Sequence, residues 1–76
     1  MPYTNEEIND LEKYCNAHAK NIQGPIKLGA GEIIIDVEKF IEAQASCIRT
    51  QLNSPAVDPH YQRLKKLKAI FETGAL

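Results

Sequence analysis

The stretch Asp36 to Leu52, DVEKFIEAQASCIRTQL, decides how the rest of the chain is read. From Val37, apolar residues return at Phe40, Ile41, Ile48 and Leu52, with small Ala45 and Cys47 beside them, while Glu38, Lys39, Glu42 and Arg49 fall elsewhere. At about 100° per residue these positions make one broad apolar stripe, so the segment predicts an amphipathic helix at the centre of the core. Asp36 stands just before it, and its carboxylate can accept the first free backbone N–H groups, which sets where the helix begins. Gln44 and Gln51 fall inside or beside the stripe. A buried amide without a hydrogen-bond partner costs roughly 1–3 kcal/mol, so each needs one. A solvated seam, a subunit interface or a tie to the neighbouring connector would each meet that need.

Working outward toward the N-terminus, Thr4 precedes Glu7 by three positions in a capping-box pattern. Ile8, Leu11, Cys15, Ala19 and Ile22 then follow at helical spacing, so a first helix is expected from about Asn5 to Lys20. Tyr14 and His18 flank its apolar stripe. His18 has the reference pKa of an acid–base group, but a lone histidine at the edge of an apolar face reads as a structural residue. Between the two helices, NIQGPIKLGAGEIII breaks the helical period at Gly24, Pro25, Gly29 and Gly31. Ile26 with Leu28, and the β-branched run Ile33 to Ile35, give each side of Gly29-Ala30-Gly31 extended character. Two readings compete, a buried irregular connector and a short two-stranded hairpin. An isolated hairpin is marginal, which favours an extended segment whose isoleucines plug the gap between helices. GAGE lacks the lysine and spacing of a phosphate loop, and Glu32 and Asp36 would repel phosphate, so the glycines read as a turn.

Toward the C-terminus, NSPAVD ends the central helix, and Asp58-Pro59 reads as a cap followed by proline at the first helical position. A third helix is expected from Pro59 to about Glu72, with Tyr61, Leu64, Leu67 and Phe71 inward and Ile70 at the margin. Gly74 permits a stop, and Ala75-Leu76 is expected to fray. This helix carries Arg63, Lys65, Lys66 and Lys68 against Glu72, while the first helix carries Glu6, Glu7, Asp10 and Glu12. Such a basic face could contact phosphates. At helical spacing, however, Arg63, Lys65 and Lys66 spread around the outer side, and no aromatic lies free among them for base stacking. The connector after the central helix also exceeds a helix-turn-helix turn.

The combination IKLGAGEIIIDVEKFIEAQ, then YQRLKKLKAI after a polar break, resembles a family of small bacterial domains of unknown function of a kind common in Bacteroidetes. The matching positions are Ile35-Asp36, Phe40-Ile41-Glu42 and Arg63-Leu64, across roughly Ile22 to Phe71. The resemblance implies a short connector, a helix opening near the phenylalanine and a closing helix with an arginine–leucine pair. It also implies histidine near position 44, where this chain has Gln44. No activity, cofactor or partner comes with it.

A chain of 76 residues leaves room for a single core, and 43% hydrophobic with 25% charged residues is globular composition, not that of a disordered segment. So short a chain buries only about 60% of the surface its unfolded form exposes, which makes a partner subunit physically useful. A formal charge of -1 gives no overall pull toward nucleic acid or acidic lipid. No run approaches the roughly 18 apolar residues of a membrane span, and the acidic N-terminal stretch does not read as a secretory signal, so the expected location is cytoplasmic. Cys15 and Cys47 read as thiols filling core volume, with neither a disulfide framework nor a zinc cluster around them. Glu38 with Glu42, Ser46 and Ser54 belong to no nucleophile–base set, so no enzyme activity, cofactor or metal is expected.

The sequence therefore predicts an all-α, single three-helix domain with a Gly-rich, Ile-rich extended connector between helices 1 and 2. The favoured function is protein interaction or self-association, with Gln44, Gln51, Arg63, Lys65 and Lys66 as the candidate surface. The alternative is weak nucleic-acid binding through the closing helix.

Overall fold

The computed structural model describes residues 3–22, 24–29 and 31–74, which form three helices and one hairpin. Helix α1 spans Asn5–Ala19, strand β1 Ile26–Gly29, strand β2 Glu32–Ile34, helix α2 Val37–Thr50 and helix α3 Val57–Thr73. The three-helix architecture is as the sequence predicts. Ala30, inside the expected turn, and Ala75-Leu76, expected to fray, lie outside the described residues.

Each helix pairs with both others around one interior. Ile8, Leu11, Cys15 and Ala19 from α1 meet Val37, Ile41, Ala45 and Ile48 from α2 and Val57, Leu64, Leu67 and Phe71 from α3. These are the positions that helical spacing puts on one face, and their removal from water is the main driving force for folding. Phe40, Leu52, Tyr61 and Ile70 pack against this core while partly exposed. The Cys15 thiol lies in it, 3.9 Å from the Leu64 carbonyl oxygen, and burial pushes its pKa up to about 11. Loss of solvent around a thiolate outweighs the attraction of the Lys68 ammonium, so the neutral thiol is favoured.

Two of the expected helix starts are present atom for atom. The Thr4 hydroxyl accepts from the Glu7 backbone N–H at 3.1 Å, and the Asp36 carboxylate accepts from the Lys39 N–H at 3.1 Å. The third start differs. Helix α3 begins at Val57, with Ala56 at the cap position and no side-chain cap bond, so Asp58 sits inside the first turn. The Ser54-Pro55 turn already leads into the helix, through Val57 N–H to Ser54 O and Asp58 N–H to Pro55 O. Asp58 is engaged elsewhere, accepting from the Tyr3 hydroxyl, and that hydrogen bond raises the Tyr3 pKa above its ordinary value. The Tyr3 ring stacks on Tyr61, with centroids 3.8 Å apart. The segment before α1 is thereby tied to α3. Gly74, in the left-handed region at φ 67°, ends α3 as expected.

The connector corrects the sequence reading. It is a hairpin, β1 and β2 pairing antiparallel through Ile26 with Ile34, Lys27 with Ile33 and Gly29 with Glu32, with an irregularity between Lys27 and Gly29. Because side chains alternate along a strand, the three isoleucines cannot all point inward. Ile26, Leu28 and Ile34 enter the core, whereas Ile33 and Ile35 are 55% and 83% exposed. The hairpin escapes the weakness of an isolated one because its inner face rests on the helices.

Candidate functional site

The basic side chains of α3 do not form one surface. Arg63 and Lys66 turn toward the hairpin: the Arg63 guanidinium stands 3.6 Å from the Glu32 carboxylate. A methyl group built on Gly29 would stand 3.1 Å from Lys66 Nζ. The Lys65 ammonium stands 5.9 Å from the ring centre of Tyr61 on its own helix, and the Lys68 ammonium reaches α1, 5.5 Å from the Tyr14 ring centre. There they stand over a shallow groove whose other lining includes Glu7, Asp10 and Leu11. Glu7 and Asp10 of α1 thus line the same groove as Lys65 and Lys68 of α3, while Glu12 pairs with Arg49 of α2.

Gln44 and Gln51 have separate fates. Gln44 is 9% exposed, and its Oε1 lies 2.7 Å from Nδ1 of His60, which donates to it from the first turns of α3. This is the partner that a buried amide requires. His60 plays no part in the sequence reading, because nothing in linear spacing couples a residue beside a proline to one 16 positions earlier. Gln51 follows α2, and its buried Oε1 has no hydrogen-bond donor among the described residues. His18 donates from Nδ1 to the Tyr14 carbonyl at 3.0 Å and stacks between the rings of Tyr14 and Phe71. Its ring is built into the α1–α3 contact, the structural role that its place in the sequence suggests.

The outer face of the hairpin takes no part in these contacts and carries exposed apolar surface. Ile33 and Ile35 are the exposed large hydrophobic residues among those described. Lys27 is the cross-strand neighbour of Ile33 and is exposed beside it, since paired residues of an antiparallel ladder share a face. At the other end, Ile35 lines a shallow hollow with Ile22, Gly24, Val37, Asp36 and Glu38. Lys27 and Ile33 are thus exposed together on the hairpin, while Ile35 lies with Asp36 and Glu38 where the chain passes from β2 into α2. Strand alternation was the available signal for Ile33: in a hairpin reading it points to the side opposite Ile34.

A family model described as Domain of unknown function (DUF6965) matches residues 6–73. The chain belongs to that family. The match runs from the first turn of α1 to the last residue of α3, so the hairpin and all three helices fall within the family's domain. No curated protein and no solved structure matches the chain. Among the described residues, no three His, Cys, Asp or Glu side chains group as a metal site, and no helix is long and apolar enough to cross a membrane.

Proposed function

We propose that this DUF6965 domain is a protein-contact module whose contact face is the outer side of the hairpin. The observation that carries the reading is the exposure of two large apolar side chains close together in the chain, Ile33 on β2 and Ile35 just after it. A folded domain has no internal use for a large apolar side chain held in water, and clustered examples mark contact surfaces. The strand that holds Ile33 carries neither lysine nor proline, the usual guards of a sheet edge, and its one charge, Glu32, faces Arg63. Arg63 and Lys66, two members of the surface expected from sequence, act in this reading by steadying the hairpin tip. Gln44 supports the face indirectly, by joining α2 to α3 through His60.

Site-specific photo-crosslinking tests the reading. A photoreactive amino acid at position 33 or 35 is expected to give discrete protein adducts in cells, while the same group at exposed Ala43 or Gln62 gives none. Equal yields at all four positions would remove the hairpin as the contact face. Low-salt retention on a DNA or RNA column, abolished by Lys65→Ala with Lys66→Ala, would favour the basic helix instead.

A further inference from the structure

The outer seam between α1 and α2 carries acids without ion-pair partners next to the exposed Ile35, and we infer that it receives a cationic amphipathic helix of a partner protein. The inference rests on the contact reading above at Ile35 and names the chemistry of the partner. Two shallow hollows share Glu38 and so join into one groove. The first, where the chain enters α2, is lined by Ala19, Ile22, Ile35 and Val37 with Glu38 at its margin. Ala19 and Val37 belong to the buried core, whereas Ile35 is 83% exposed. The second hollow continues between the helices, with Glu12, Asn16 and Lys20 on one bank and Glu38 and Glu42 on the other. On each bank these residues are four apart, so they stand one above another, a turn at a time.

Rows of this kind are the ridges between which a further helix packs. A helix laid parallel to α2 rises by the same amount per residue, about 1.5 Å, so a basic pair four residues apart on it stands opposite Glu38 and Glu42. An apolar side chain one turn earlier then falls at the hollow beside Ile35. Charge sets the sign of the partner. Among the described residues Glu12 is paired with Arg49, while Glu38 and Glu42 form no ion pair. Asp36 is already engaged, accepting from the Lys39 N–H as the cap of α2. Lys20 is the one cation that lines the second hollow, against three acids. Carboxylates a turn apart on one helix repel each other, and a facing basic pair relieves that repulsion where an acidic or neutral helix cannot.

A synthetic peptide tests this: an alanine-based helix of about 20 residues carrying one leucine, then a lysine at each of the next two turns. Titrated into the isotope-labelled domain, it is expected to shift the amide signals of Ala19, Ile22, Ile35, Glu38 and Glu42 and to leave those of α3 in place. Glu38→Lys with Glu42→Lys, both at exposed positions, is expected to raise the dissociation constant at least about tenfold. The same double variant is expected to bind the version of the peptide with glutamate in place of lysine, a gain that a merely unfolded chain cannot show. Replacing the peptide's leucine by alanine is expected to weaken binding at least about threefold. No binding up to millimolar peptide would overturn the inference. So would equal affinity for the leucine and alanine peptides, equal affinity for the lysine and glutamate peptides, or shifts confined to another face. Crosslinking in cells separates the two proposals. Protein adducts from position 35 that the double charge reversal abolishes support the cationic partner. Adducts that survive the reversal, or that consist only of two copies of this chain, overturn it while leaving the contact face standing, and no adducts from positions 33 and 35 overturn both.

Discussion

Ile41 and Ile48 of α2 have no exposed surface, whereas Ile33 and Ile35, a few residues upstream, stand largely in water. The residue type is the same and the local chain is equally apolar. What differs is the period of the backbone. A helix returns a side chain to the same face every three or four residues, so a stripe of isoleucines can be buried as a set. A strand sends successive side chains to opposite faces, so a run of three must divide, and with helices on one side only the outward members stay exposed. The helices and the inner face of the hairpin thus share one closed interior, and the outward members of the hairpin have no such cover.

That contrast can be broken most forcefully from the helical side. Leu64→Ala removes a side chain with no exposed surface from the meeting point of all three helices, and about 2–5 kcal/mol of stability should be lost. Urea denaturation measures it, and in so small a domain a loss at the upper end would leave much of the chain unfolded. Cys15 supplies a second handle on the same interior. Its pKa is raised from 9.0 to about 11, so the folded state holds the thiol proton more tightly than the unfolded state does. The stability from the neutral buried thiol is fully present below pH 9 and is lost between pH 9 and 11, by about 2–3 kcal/mol once the upper value is passed. Denaturation across that range should show a slope that Cys15→Ala reduces.

His60→Ala tests the polar joint between α2 and α3. It leaves the buried Gln44 carbonyl without its donor, and a loss of about 1–3 kcal/mol in chemical denaturation is expected. Gln44→Leu should cost less, because His60 is only partly buried and can turn its N–H to water. In the hairpin, Gly31 holds φ at 83° with open space around it, so Gly31→Ala is opposed by backbone conformation alone. A loss of about 1 kcal/mol is expected, read as faster amide exchange in β1 and β2 with little change in the helices. Ile35→Ser should change the stability of the dilute chain by no more than about 0.5 kcal/mol, since that side chain is already in water. A large effect there would erase the difference between the two regions.

The residues that could be read in advance are those whose partners lie within one turn of the backbone. Thr4 with Glu7, Asp36 with Lys39, and the stripe through Ile41 and Ile48 all depend on spacings of three or four. Asp58 reads equally clearly as a cap before Pro59, yet α3 starts two residues earlier, at Val57, and the carboxylate serves Tyr3, 55 positions away. Helix α2 likewise ends at Thr50, short of the expected Leu52, and α1 ends at Ala19. The sequence leaves two readings of the connector open, and favours the irregular one over the hairpin that forms, for a related reason. A marginal hairpin and an irregular plug have nearly the same local preferences, and the choice between them depends on whether a surface exists to cover the inner face.

The sequence by itself determined the number and order of the helices, which face of each is buried, and where two of them begin, because those properties follow from short-range periodicity and capping. Tertiary structure alone decided that Ile26–Gly29 and Glu32–Ile34 pair as a hairpin, that Ile34 is buried while Ile33 and Ile35 are not, and that Gln44 meets His60. Those outcomes need groups distant in the chain to be brought together, and the free energy that selects them comes from the shared core.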